Sequence, residues 1–210
     1  MMPSYDIGKI VGSIFQDPQR QFFSSELEGE IAFGCENYGF SKFEIQKRTK
    51  DAIHKMRLEN IGKISLDLLS SGEKQRAAVA SVYAMHPEVF VFDEPTANLD
   101  KDGIIQMKNI LMQLKKAGYT LLIAEHRLSW TEELADRYLY MKDGQIQHEY
   151  SSLEFSTMND LERISKGLRR IINKPFTKQI APPRTDNIAI QGERLSLQQN
   201  KKPILKNVDI

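Results

Sequence analysis

The side chains able to do chemistry fall into a few short stretches: Gln16, the run Ser70-Ser71-Gly72, the acidic pair Asp93-Glu94, Asp100 and His126. Asp93-Glu94 closes the apolar run VFVF, so two carboxylates sit at the end of a strand. Carboxylates so placed hold cations or take protons from water, although a surface turn or a helix cap uses the same residues. His126 follows a second apolar run and has the same two readings, catalytic or merely exposed. Ser70-Ser71-Gly72 opens a helical pattern, and a hydroxyl with backbone N–H groups at a helix N-terminus makes an anion site as well as a cap. Gln16 ends a short apolar segment, where ligands are commonly met in open sheets. His54, His86 and His148 have no comparable context.

Positioning these residues takes alternating strands and helices. Val11 to Phe15 reads as a strand stopped at Gln16-Asp17-Pro18. Ser25 with Glu28 and Ser41 with Glu44 are spaced as capping boxes for two helices, and a third helix starts at Ser70 and runs to about Met85. Val89 to Phe92 is apolar without alternation, as expected of a parallel strand covered on both faces, and Tyr119 to Ala124 reads as another buried strand. Residues 104 to 117 form an amphipathic helix ended by Gly118. Arg137 to Met141 and Gln145 to His148 flank a Gly turn as a hairpin. This rhythm predicts an α/β fold. Residues 151 to 172 are polar and helical, and Lys174-Pro175 through Pro182-Pro183-Arg184 reads as a linker before Ile188-Ala189-Ile190 and Leu195-Ser196-Leu197.

Bulk properties narrow the class. With 210 residues, 27% charged side chains and a net charge of +1, no global field favours nucleic acid or an acidic partner. The single Cys35 cannot form an internal disulfide, which suits a reducing compartment. No apolar run approaches the roughly 20 residues that span a bilayer, so a membrane role would come through a partner.

LSSGEKQR at 69–76, VFVFDEPTANLD at 89–100 and LLIAEHRLSW later in the chain together resemble the ATP-binding cassette (ABC) family of P-loop NTPases. The resemblance implies ATP and Mg²⁺ as cofactors. Asp93 then matches the Walker B carboxylate that holds Mg²⁺, Glu94 the general base and His126 the switch histidine at the γ-phosphate. Gln16 matches the Q-loop glutamine, which binds Mg²⁺ or the attacking water. Ser70, Ser71 and Gly72 match the signature that contacts the nucleotide of the opposite ATPase domain, and Asp100 belongs to the D-loop. Ser71 stands where Gly is more usual and Glu73 where Gln is. DPQRQFF at 17–23, with EIAFGCENYG, resembles in particular the ATPases of energy-coupling-factor (ECF) importers, in which a short helix after the Q-loop contacts the membrane subunit. The implied partners are a second ABC ATPase domain and an integral membrane transporter subunit reached through Asp17 to Phe23, at the cytoplasmic face of the cell membrane.

One part of the pattern is missing. No G-x-x-x-x-G-K-[ST] phosphate loop (Walker A) occurs, since Gly8-Lys9 and Gly62-Lys63 are each followed by Ile. The expected organisation is a truncated ABC domain over 1–150 with an incomplete parallel sheet and a helical subdomain at about 17–86. A helical segment and linker follow over 151–185, then the opening strands of a second ABC domain over 186–210. Gln198-Gln199 stands where the family places an adenine-stacking aromatic. Three or four lost phosphate contacts remove roughly 5–10 kcal/mol, more than the approximately 4 kcal/mol of millimolar binding, so this chain alone is not expected to bind ATP at its Walker B side. The absent phosphate-loop strand would lie beside the Asp93 strand and leave an unpaired apolar edge, with poor solubility. Two other readings compete. A ribosome- or nucleic-acid-associated ABC protein would carry a long coiled-coil insert between Gln16 and Leu69, where no heptads occur. A non-catalytic remnant would lend Ser70 and Gly72 to a partner's ATP.

Overall fold

The computed structural model describes residues 3–61, 64–168, 195–199 and 202–208. The chain divides into two compact units, Met1–Ile172 and Asn173–Ile210. Residues 174–184 and 188–190, read above as a linker and a strand, lie outside the described residues.

In the first unit α1 (Ser4–Ile10) leads directly into β1 (Val11–Ile14). A helical region follows, made of α2 (Leu27–Asn37), α3 (Lys42–Lys55) and α4 (Ser71–Ala84). Then come β2 (Val89–Asp93), α5 (Lys101–Lys116) and β3 (Thr120–Ala124). The hairpin β4 (Arg137–Lys142) and β5 (Gln145–Ser151) precedes two short helices, α6 (Ser152–Thr157) and α7 (Asp160–Ser165). The second unit shows the antiparallel pair β6 (Leu195–Gln199) and β7 (Lys202–Val208).

β1, β2 and β3 form a parallel sheet in that order, with Ile14 opposite Phe92 and Asp93 opposite Ala124. β2 is thus central and hydrogen-bonded on both sides. The expectation of an open edge beside the Asp93 strand is corrected: β1 and β3 occupy those positions, and the open edges among the described residues belong to them. The expectation of two covered faces is corrected as well. Phe90 and Phe92 are fully buried, whereas Val89 and Val91 are only half-buried and Leu122 of β3 is 52% exposed. The reason is that Ile14, Phe90 and Phe92 share one core cluster with residues of α4 and α5, whereas Val89, Val91 and Leu122 are not among its buried members.

Helix α4 is buried nearly all round, from Ala77 to Ala84, as a helix must be when it is enclosed by neighbours. Its small side chains allow close approach. A Cβ on Gly12 of β1 would lie 2.2 Å from Val82 Cγ1, so only glycine fits there. The last carbonyl of α4, at Ala84, accepts from Arg48 Nη1 at 3.1 Å and Cys35 Sγ at 3.3 Å, which ties α2 and α3 to its C-terminus.

The helix starts follow the sequence unevenly. Ser41 Oγ accepts from Glu44 N–H, but the Glu44 carboxylate turns to Arg48 Nε at 2.7 Å, which holds it below the usual carboxylate range. The Ser25–Glu28 box does not form. Ser25 keeps its carbonyl for Leu66 N–H beside the Glu26–Ser65 bridge, and Glu30 reaches back to the N–H groups of Phe23 and Ser24 at 2.8 and 2.9 Å. α5 begins earlier than its apolar pattern because Asp100 caps it, and ends before Gly118 at φ +92°. Asp143 and Gly144, both at positive φ, make the tight turn between β4 and β5.

Candidate functional site

Three parallel strands end side by side, and their ends carry the predicted polar residues. Gln16 lies just beyond β1, Asp93 and Glu94 close β2, and His126 lies just beyond β3. Gln16 Nε2 donates to Glu94 Oε2 at 3.1 Å, and His126 Nδ1 lies 3.2 Å from Glu94 Oε1. The fold thus brings three predicted residues into contact around one carboxylate. That carboxylate is 30% exposed and the imidazole 44%, so both remain open to a solvent-borne substrate.

Glu94 is held there at a cost. Its φ is +44°, a left-handed conformation that disfavours side chains with a Cβ by about 1–2 kcal/mol. Its N–H donates to Ala124 O at 2.9 Å, and its own carbonyl accepts from Ala97 N–H, so the backbone turns sharply between strand and loop. Unusual backbone of this kind aims the side chain across the strand ends.

Asp93 is exposed at the end of β2, and its carboxylate takes part in no hydrogen bond or ion pair with the described residues. No group of three or more His, Cys, Asp or Glu side chains among the described residues is arranged as a metal cage. One available carboxylate suits Mg²⁺, which keeps waters and takes its remaining ligands from substrate phosphates. Asp93 and Gln16 are the residues that fit it.

The signature residues are built differently. Ser70 caps α4 in a full capping box: Glu73 Oε2 accepts from Ser70 N–H at 2.8 Å and from Ser70 Oγ at 2.7 Å, and Ser70 Oγ accepts from Glu73 N–H at 3.3 Å. Ser71 is exposed, and a Cβ on Gly72 would sit 3.9 Å from Leu99 Cδ2, so the signature and the D-loop are neighbours. Beneath them Arg76 donates to Gln106 Oε1 at 2.6 Å, while burial pulls its guanidinium below the ordinary arginine value. Asp100 accepts from Gly103 N–H at 2.7 Å as the cap of α5. Among the described residues no hydrogen bond or ion pair joins Ser70, Ser71, Gly72 or Asp100 to the Glu94 cluster.

Sequence reasoning missed Glu125. Its side chain is 3% exposed and accepts from Thr96 Oγ1 at 2.7 Å, Trp130 Nε1 at 3.2 Å and the N–H groups of His126 and Arg127 at 2.8 Å each. The only hint in the sequence is its place between an apolar strand and His126.

Asp17 caps the turn Pro18–Arg20 by accepting from Gln19 N–H at 3.1 Å, and Gln21 Oε1 accepts from Phe15 N–H. Phe23 is 75% exposed and stacks on Phe33 with ring centres 4.7 Å apart. No helix among the described residues is long and apolar enough to cross a membrane.

Residues 4–97 match the family model for ABC transporters. A putative ABC transporter ATP-binding protein of Treponema denticola is 42% identical over 164 residues, covering 78% of this chain and 33% of that protein. The energy-coupling factor transporter ATP-binding protein EcfA of Methanocaldococcus jannaschii is 36% identical over 186 residues, 89% of this chain and 66% of the relative. Among solved structures, cbiO1 from Clostridium perfringens, part of the ABC transporter complex cbiONQ, matches with a TM-score of 0.68 at 31% identity over 77% of this chain and 64% of that one. The chain therefore spans about a third of the Treponema relative's length. Parallel strands that end in Gln16, Asp93-Glu94 and His126, a capped signature helix and these relatives agree, and the chain belongs to the ATP-binding domains of ABC transporters.

Proposed function

We propose that this chain is part of the ATP-binding and hydrolysing component of an ECF-type importer, in which ATP hydrolysis drives solute uptake. The observation that carries the reading is the Glu94 carboxylate held between Gln16 and His126 at the ends of three parallel strands.

In this reading Glu94 takes the proton of a water as that water attacks the γ-phosphorus of ATP, and ADP leaves with the bridging oxygen. Both oxygens of Glu94 already have a partner, so the arriving water takes over a contact from Gln16 or His126. Gln16 then orients that water through its amide, and His126 turns toward the γ-phosphate. A Mg²⁺ at Asp93 would supply charge neutralisation of the phosphates. The start of α4, with Ser71 exposed and Gly72 beside it, serves a nucleotide held by an opposite ABC domain. Phe23, exposed beside a turn fixed by Asp17, Gln21 and Glu30, is the contact offered to a membrane subunit, with the chain at the cytoplasmic face of the membrane.

The test is ATP-driven solute movement by the complete transporter in proteoliposomes, as the parent and as Glu94→Gln. The reading expects the variant to lose transport while still assembling with its membrane subunits. Transport at the parent's rate would remove Glu94 from the proposed role.

A further inference from the structure

We propose that Glu125 is a positioning residue, a buried carboxylate clamp that fixes His126 against Glu94 and binds the loop after β2 to the loop after β3. The proposal rests on the hydrolytic reading of Glu94 and His126 given above.

The Glu125 side chain is 3% exposed, and among the described residues no Lys or Arg pairs with it. Burying a carboxylate is costly unless hydrogen bonds replace its water. An ionised carboxylate has about four acceptor sites, and Glu125 fills them with four donors. Oε1 accepts from the N–H groups of His126 and Arg127, both at 2.8 Å. Oε2 accepts from Thr96 Oγ1 at 2.7 Å and Trp130 Nε1 at 3.2 Å.

These donors come from separate pieces of the site. Thr96 is fully buried in the loop that also carries Glu94, only two residues away in sequence. His126 and Arg127 form the loop beyond β3, and Trp130 ends the turn Leu128–Trp130, where it is 7% exposed. One carboxylate therefore sets the distance between the backbone bearing the base and the backbone bearing the histidine. The His126 imidazole completes the picture, with Nδ1 3.2 Å from Glu94 and 3.6 Å from Glu125 Oε1. An apolar or amide side chain of similar size would pack in the same space but could not receive all four donors. A glutamine offers one oxygen and turns an N–H₂ group against two of them.

Trp130 is the only tryptophan, so its indole N–H is a single, self-assigned reporter of the clamp. The experiment compares the 210-residue chain as parent, Glu125→Gln, Thr96→Val and Thr96→Ser by proton–nitrogen NMR. The same four versions of the complete transport ATPase are assayed for ATP turnover. The clamp predicts that the Trp130 indole and the His126 and Arg127 amide resonances move in Glu125→Gln. The indole moves also in Thr96→Val and returns in Thr96→Ser. It further predicts a kcat at least about tenfold lower for Glu125→Gln with KM for ATP changed less than about twofold, because positioning is lost and nucleotide binding is not. Unmoved resonances in Glu125→Gln, or moved resonances with unchanged kcat, would overturn it. No turnover in any version, the parent included, would sink the hydrolytic reading, and the resonances would still decide whether the clamp exists. Should Glu125→Gln fail to fold, Thr96→Val against Thr96→Ser decides by the same readouts.

Discussion

The start of α4 and the cluster around Glu94 are both family motifs, yet they are held together in opposite ways. At α4, Ser70 and Glu73 satisfy one another three residues apart, inside a single turn of helix. At Glu94 the partners are far apart in the chain, Gln16 by 78 residues, and only the parallel register of β1, β2 and β3 brings them together. The local arrangement lowers the energy of the backbone that carries it. The non-local one is built on a residue at φ +44° and on a buried carboxylate, both of which cost energy. In the proposed reading, binding an anion is left to a stable helix end, whereas moving a proton depends on geometry that the rest of the fold must enforce.

Substitutions in the two regions should act on different properties, turnover at the strand ends and stability at the helix. After substitution of Glu94 itself, the largest effect belongs to His126→Ala, which should lower ATP turnover of the complete ATPase by about 10²-fold in a steady-state assay while the melting temperature stays near the parent's. Next comes the far end of α4, where the helix is held by tertiary contact. Tyr83 OH donates to Asp51 Oδ2 at 3.2 Å, and burial with the Asp51 charge pushes its phenol up to about 12. A raised phenol favours the folded state fully below pH 10, and that share is lost as pH rises through 12. Urea unfolding should therefore show about 2 kcal/mol lost across this window, and Tyr83→Phe should flatten the loss. Ser70→Ala removes a cap and should cost about 1 kcal/mol of unfolding free energy at neutral pH. The smallest effect on stability has the opposite sign. Glu94→Gly relieves the positive φ and should raise stability by about 0.5–1 kcal/mol in the same assay, with turnover lost.

What the sequence revealed follows the same division. The cap at Ser70, the extent of α4, the tight turn at Asp143-Gly144 and the strand ends at Gln16, Glu94 and His126 were legible because each is written in adjacent residues. The central place of β2 was not, since strand order depends on which crossovers pack, and the uninterrupted apolar run VFVF suggested two covered faces where Phe90 and Phe92 are buried but Val89 and Val91 only half-buried. The α2 start misled because Glu30, rather than Glu28, reaches back, to Phe23 and Ser24. Glu125 was invisible for a related reason: nothing adjacent shows that Thr96 and Trp130 converge on it.

The most direct test of the account is the rate of phosphate release from Mg-ATP by the complete ATPase as parent and as Glu94→Gln, measured beside the melting temperature of each. A base held between Gln16 and His126 predicts turnover lower by about 10²–10⁴-fold with a nearly unchanged melt. Turnover within a factor of about two of the parent would mean that another group takes the proton and that the Glu94 cluster is not the hydrolytic centre.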